Sequence, residues 1–422
     1  MVESNSIPKH WKIKKLGEVC GIIMGQSPSS DTYNTDGKGL PFFQGKAEFT
    51  DLYPITRKWC SNPNKIAESN DILLSVRAPV GSTNIVNQKC CIGRGLAAIR
   101  YENYKYIFYF LRSIEQELDK KGTGTTFRAI SGETIRSTEI PIPPINEQLA
   151  IVSKIEELLS DLESGRQQLL TAQQQLKVYR QSLLKAAFEG RLNCDVSDLY
   201  DKHETENHNN QSNHKNQVSD NLPKGWKWVK LIDICSSVEY GSAIKSQKIG
   251  QVPVLRMGNI QNGIFDWNDL VFTSDDNEIK KYFLKKNDVL FNRTNSAEWV
   301  GKTAIYKGER LAIFAGYLIR INRIESLIDA NFLTYYLNTK AAKTYGNSVR
   351  SFGVNQSNIN GTKLKTYPIP LPPIEEQHQI VEILESKLTV CDKIEETITN
   401  SLLQAESLKQ SILKKAFEGK LI

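Results

Sequence analysis

Pro141-Ile142-Pro143-Pro144-Ile145-Asn146-Glu147-Gln148 returns later in the same chain as Pro370-Leu371-Pro372-Pro373-Ile374-Glu375-Glu376-Gln377. The copies stand 229 residues apart, Pro144 to Pro373. A second signature keeps the same separation: Lys185-Ala186-Ala187-Phe188-Glu189-Gly190 is answered by Lys414-Lys415-Ala416-Phe417-Glu418-Gly419, Gly190 to Gly419. The stretch between the two signatures therefore has one length in both copies. A duplication of this size implies two equivalent halves, and two equivalent halves suit a target that is itself in two parts.

Between the signatures the pattern is heptad. Ile155, Leu162, Leu169, Leu176 and Leu183 recur every seven residues, interleaved with Ile151, Leu158, Ala172, Tyr179 and Ala186. The second copy has Leu384, Cys391, Ile398, Ala405 and Ile412, with Ile380, Ile394 and Leu408 between them. Spacing sustained over five heptads predicts a coiled-coil seam, weak at Gly165, Lys387, Ser401 and Lys415. Proline is excluded from a helix interior, so Pro144 and Pro373 mark the starts. Gly190 and Gly419 are C-terminal caps. A helix of roughly 43 residues spans about 65 Å. Two such helices, one running out and one running back, are expected to pack antiparallel.

Upstream of each helix lies a globular segment. The first opens Ile7-Pro8-Lys9-His10-Trp11 and the second Leu222-Pro223-Lys224-Gly225-Trp226. Asp71-Ile72-Leu73-Leu74-Ser75-Val76-Arg77 parallels Asp288-Val289-Leu290-Phe291-Asn292-Arg293, and Val80-Gly81-Ser82-Thr83 parallels Val300-Gly301-Lys302-Thr303. Apolar runs bounded by Gly, Pro and Asn predict buried strands. A helix follows in each half, at Tyr106–Leu111 and Phe332–Leu337. The expected fold is α+β: globular domains at 1–145 and 222–374, long helices at 146–193 and 375–422, and a polar linker at 194–221. His203, His208 and His214 fall in that linker, where solvation is a simpler fate than metal binding.

Charge follows the same division. Residues 1–145 carry 19 Lys and Arg against 14 Asp and Glu, and residues 222–374 carry 21 against 12, while the linker and the second helix are net acidic. Positive charge gathered on the two globular segments points to a polyanionic partner, nucleic acid foremost. No apolar run reaches the ~18 residues of a membrane span and the N-terminus is polar, so the expected location is cytoplasmic, with no membrane partner. The seven cysteines form no C-x-x-C pair, so buried reduced thiols are expected.

The order globular segment, P-x-P-P-I-x-E-Q, long helix, A-F-E-G-[RK]-L, then the same again, resembles the DNA-specificity subunit of Type I restriction–modification systems. Asp288–Ile305 strengthens the likeness, and the first half departs from that run at Val76-Arg77-Ala78-Pro79. The resemblance implies two target-recognition domains separated by two antiparallel coiled-coil helices, reading a bipartite sequence in double-stranded DNA. It implies no catalysis and no cofactor on this chain. Two modification subunits would use S-adenosylmethionine to methylate adenine, and restriction subunits would use ATP and Mg.

Candidate contacts follow from the needs of DNA recognition: cations for phosphates, and Arg, Asn, Gln or Lys for base edges. Two matched loops precede the Pro-rich signatures. One supplies Lys120, Lys121, Thr123, Thr125 and Arg128, and the other Arg350, Ser351, Asn355 and Gln356. Further candidates are Gln44, Lys46, Arg77 and Arg94 in the first domain, and Arg256, Asn259, Arg293 and Asn295 in the second.

Catalytic patterns fail on inspection. Gly301-Lys302-Thr303 lacks the upstream glycine of a phosphate loop, since position 296 is Ser. Asn62-Pro63-Asn64 is not a methyltransferase loop, and Glu278-Ile279-Lys280 beside Asp276 reads as a solvated charge run. Two rivals remain. A stand-alone DNA-modifying enzyme would methylate or cut DNA unaided. A coiled-coil scaffold binding only protein would have no salt-dependent duplex affinity.

Overall fold

The computed structural model describes residues 7–124, 128–192, 222–352 and 356–422. Thr125, Asn355 and the linker with its three histidines lie outside the described residues. The strands used below are, in the first half, β1 (Lys12–Lys15), β2 (Gly21–Met24), β3 (Leu40–Phe43), β4 (Ile72–Ser75), β5 (Thr83–Ile85), β6 (Cys90–Ile92), β7 (Leu96–Arg100) and β8 (Glu139–Ile142). The second half has β9 (Lys227–Lys230), β10 (Cys235–Tyr240), β11 (Val252–Leu255), β12 (Val289–Asn292), β13 (Thr303–Ile305), β14 (Ile313–Phe314), β15 (Leu318–Arg323) and β16 (Pro368–Leu371). The helices are α1 (Tyr104–Ser113), α2 (Ile145–Phe188), α3 (Ala330–Leu337) and α4 (Ile374–Phe417).

The duplication is visible strand by strand. One antiparallel sheet runs β2-β7-β4-β5 and its counterpart β10-β15-β12-β13. Leu74 pairs with Thr83 in one, and Phe291 with Thr303 in the other. A parallel contact recurs as well, β3 with β6 and β11 with β14. The expected strands and the expected short helices are both present. All four residues of β4 and of β12 are buried, which is why they read as unbroken apolar runs instead of alternating ones.

The chain divides into two compact units, Met1–Leu170 with Thr399–Ile422, and Thr171–Ile398. Each holds one globular domain with the beginning of one long helix and the end of the other. In the first unit, Ile151, Val152 and Ile155 of α2 and Leu413, Ala416 and Phe417 of α4 belong to the same core as Leu74, Ile99 and Phe110. In the second, Ile380, Val381 and Leu384 of α4 and Leu183, Leu184, Ala187 and Phe188 of α2 join Phe291, Ile321 and Phe332.

The A-F-E-G signature explains that convergence. Phe417 is 1% exposed and meets Tyr106 and Phe110 edge-on, at centroid distances of 5.2 and 5.3 Å. Phe188 does the same to Phe332 and Tyr336, at 5.0 and 5.2 Å. Both pairs lie four residues apart on α1 and α3, so each ring enters the groove between successive turns. Gly190 and Gly419 then leave their helices at φ +69°, where a Cβ would also collide with Pro223 and Pro8 of the domain beneath.

The P-x-P-P-I-x-E-Q signature builds the opposite joint. β8 pairs antiparallel with β1, and β16 with β9. Trp11 Nε1 donates to Glu147 Oε2 at 2.9 Å, and Trp226 Nε1 donates to Glu376 Oε1 at 2.9 Å. The next residue is buried in both copies: Gln148 Nε2 donates to Pro143 O, and Gln377 Nε2 to Pro372 O, each at 3.0 Å. Each opening tryptophan is thus tied to the first turn of the helix that ends its domain.

The long helices run antiparallel. Glu163 lies in the field of Lys409 and Arg166 in that of Glu406, so numbers fall on one helix as they rise on the other. Arg166, and then Gln167, hold the Glu163 carboxyl down at about 2 through hydrogen bonds. In the second unit Arg180 donates to Asp392 at 2.7 Å and to Glu395 at 3.0 Å. The seam differs from expectation in one respect: Ile394 and Leu408 are 44% and 50% exposed, outside it. On α4 the half-buried positions after Leu384, Cys391 and Ile398 lie three and four residues on, at Lys387, Leu388, Glu395, Ser401 and Leu402. Arg180 bonds Glu395, next to the exposed Ile394.

Phe417→Ala removes the ring that closes the first domain. The expected cost is ~3–5 kcal/mol, read as an earlier urea midpoint, while exposed Leu408→Ala moves it little.

Candidate nucleic-acid interface

In the first domain the candidates gather where β4 ends. Arg77 forms an antiparallel bridge with Ala129, and Ala129 with Thr123. Ala78 N donates to Arg128 O at 2.9 Å, and Ile130 N to Val76 O at 3.0 Å. The loop that carries Thr123 and Arg128 is therefore laid as a ribbon along Val76–Ala78. On its other side, Val76 N donates to Gly95 O at 2.9 Å, and Gly93 N to Phe43 O at 2.8 Å. The turn bearing Arg94 thus sits between Val76 and the end of β3, where Gln44 follows. Gly95 is required there, because a Cβ would strike the Gln44 carbonyl. Gln44, Lys46, Arg77, Arg94, Thr123 and Arg128 are all exposed. Lys120 and Lys121, at the end of the helix Glu115–Lys120, are exposed too. Arg128 donates to Asp119 at 3.1 Å in a solvent-exposed ion pair. Such a pair adds little stability and exchanges readily for another anion.

The second domain repeats the ribbon. Thr294 pairs with Asn358, and Asn358 with Ser351, which is the relation of Arg77 to Ala129 to Thr123. Ser351 and Gln356 are exposed, and Asn295 is half-buried with its Oδ1 accepting from Ser296 N at 2.8 Å. Arg350 is half-buried and donates to Ala297 O at 3.1 Å and to Asn347 Oδ1 at 2.7 Å, tethering the next turn. Lys363 Nζ donates to Ser351 Oγ at 2.7 Å, a cation on the ribbon that no sequence pattern announces.

Three candidates have structural work. Asn259 is buried: its Nδ2 donates to the carbonyls of Asp266 and Asp269 at 3.1 and 2.8 Å, and its Oδ1 accepts from Arg256 N at 2.9 Å. It closes a turn instead of meeting a base edge. Arg256, half-buried, donates to the Asp269 carboxylate at 3.0 Å. Arg293 is half-buried, with Nε donating to Gly316 O at 2.9 Å and its guanidinium 4.9 Å from the Tyr240 ring centre.

Groups suggestive of chemistry are otherwise engaged. Glu278 accepts from the Ser242 hydroxyl. Thr303 is buried in β13. Among the described residues no three His, Cys, Asp or Glu side chains converge to hold a metal ion. Six cysteines among the described residues are free and buried. Burial pushes the Cys20 and Cys90 thiols up to about 12, which makes them poor nucleophiles.

Residues 8–172 and 223–404 match the family described as Type I restriction modification DNA specificity domain. The chain belongs to that family. A specificity subunit, that of the Type I restriction enzyme StySPI from Salmonella potsdam, is 27% identical over 98% of this chain and 90% of its own. The EcoKI specificity subunit of Escherichia coli K12 is 25% identical over 100% and 91%. A solved chain from work on complex assembly and conformational transition of the type I R-M system superposes with a TM-score of 0.73, at 21% identity, over 98% of this chain and 99% of that one. This is a Type I DNA specificity subunit, with the α+β duplicated fold its sequence implied.

In this specificity subunit the signatures that reveal the family build the joints between domains and helices, whereas the exposed ribbon carries different residues in each half. Asn259→Ala tests the division. The expected outcome is a loss of about 1–3 kcal/mol in stability, since buried carbonyls lose their donor. Sequence preference should be retained in protein kept below its lowered melting point; a stable variant with altered preference would contradict the assignment.

Proposed function

We propose that each globular domain reads one half of a split target in double-stranded DNA, and that the paired helices set the number of base pairs between the halves. The observation that carries this reading is the repeated ribbon: the same framework position in both domains presents exposed polar side chains, with exposed Arg128 beside them in the first domain and half-buried Lys363 in the second. Phosphate contacts would come from residues such as Arg128, Lys120 and Lys363, and base contacts from Gln44, Arg77, Arg94, Thr123, Ser351 or Gln356. Thr125 and Asn355 remain proposed contacts of the same two loops.

The chain is proposed to act without catalysis of its own. Two modification subunits would methylate adenine with S-adenosylmethionine, and restriction subunits would use ATP and Mg, all in the cytoplasm. Among the described residues no helix is long and apolar enough to cross a membrane.

Mapping methylated adenines in cells carrying the system tests the reading, and a motif split by a fixed spacer is expected. A continuous motif, or methylation by the purified chain alone, would reject it. Arg94→Ala, at a proposed base contact, should weaken recognition of one half-site by about 1–3 kcal/mol and leave the other intact; equal losses at both would reject one domain per half-site. Inserting a heptad within 160–180 of α2, with a matching one in α4, adds ~10 Å of helix, or about three base pairs of spacer. An unchanged spacer would reject the helices as the measure of spacing.

A further inference from the structure

The turn after β12 differs between the two domains in a way the duplication makes measurable. In the first domain Gly81 N donates to Ser75 O at 2.9 Å and Ser75 N to Ser82 O at 2.8 Å. In the second Gly301 N donates to Asn292 O and Asn292 N to Lys302 O, each at 2.8 Å. The same two bonds close both turns. Five residues lie inside the first, 76–80, and eight inside the second, 293–300. The longer turn presents an aromatic side chain that the shorter one lacks, Trp299, which is 45% exposed.

That ring is exposed on a well-held backbone. Trp299 O accepts from Nδ2 of the buried Asn292 at 3.2 Å, and Trp299 N donates to Ser296 O at 3.1 Å. Val300, its neighbour, is in the domain core, and Arg350 of the ribbon donates to Ala297 O at 3.1 Å. The Lys302 ammonium stands 3.9 Å from the indole centre. Burial, and then the like charge of Lys343, push Lys302 below the usual lysine range, with Glu298 the acid opposing this. An indole presented on a held turn beside two cations matches what a duplex offers where a wedged side chain partly unstacks a base step: an apolar base face flanked by phosphates.

We propose that Trp299 is a specificity-determining residue of the second domain, its indole lying against a base step of that domain's half-site while Lys302 and Lys343 face the flanking phosphates. The proposal rests on the reading that this domain binds duplex DNA. A protein surface could also cover an exposed indole, but it would have to supply acids for Lys302 and Lys343, which phosphates do without further design.

The test uses the complex purified through a tag on the full-length chain, and a labelled duplex carrying the target defined by methylation mapping, with 2-aminopurine at one adenine of the second half-site. A duplex scrambled in that half-site is the comparison. W299A is expected to weaken target binding between about 5- and 150-fold, the range for one lost base–aromatic stack. It should leave the scrambled duplex nearly unchanged and abolish the 2-aminopurine signal that wild type produces. W299F should stay within about threefold of wild type, and its retained signal covers the case in which W299A folds poorly. K302M should lower the salt slope of binding by about one while keeping the signal. The proposal is overturned if W299A discriminates target from scrambled duplex as wild type does, or if it binds DNA normally but loses the co-purifying subunits. If wild type itself shows no preference for the target, the reading of the domain fails and this proposal with it.

Discussion

Two phenylalanines carry the architecture. Phe417 and Phe188 each enter the groove between two aromatic side chains on a domain's helix, and each comes from the end of the long helix that began at the other signature. Neither domain's apolar face is complete until that helix end arrives, so the N-terminal domain depends on the last residues of the chain. The glycine two residues beyond each ring is dictated by the same closeness, because any side chain there would meet the proline at the domain's opening. Each long helix is thereby packed into a domain core at both of its ends.

This anchoring separates two kinds of residue. The signatures are occupied with joints: Glu147 and Glu376 receive the opening tryptophans, and Gln148 and Gln377 are buried against proline carbonyls. Their chemistry is spent inside the fold, which frees the ribbon and the neighbouring turns to vary. Arg77, Thr123 and Arg128 occupy in one domain what Thr294, Ser351 and their neighbours occupy in the other. Thr294 is buried where Arg77 is exposed, so one frame presents different side chains to solvent in the two domains.

Much of this was legible from residue order alone. Heptads bounded by proline and glycine announced the long helices, and their observed limits, Ile145–Phe188 and Ile374–Phe417, follow those boundaries closely. The buried strands were legible because three consecutive apolar residues between turn residues, Ile72–Leu74 and Val289–Phe291, leave little else to form. The seam of α4 was less so: heptad counting put Ile394 and Leu408 inside, and both stand exposed, while Lys387 and Ser401, the polar positions of the same register, are half-buried. For the candidate site, the matched loops could be located but not sorted. Asn259 and Arg128 look equally suited to recognition on paper, yet one is consumed by two carbonyls and the other stands in solvent.

By itself, then, the order of amino acids determined the duplication and the element types, because these rest on repetition, periodicity and residues whose backbone preferences act locally; the family came from the resemblance its signatures carry. Only the tertiary structure decided which polar side chains are free to meet a partner. That choice depends on hydrogen bonds between residues far apart in the chain, such as Lys363 with Ser351 or Arg350 with Ala297. It depends equally on a three-residue difference between two turns closed by the same pair of bonds, the longer of which exposes a tryptophan.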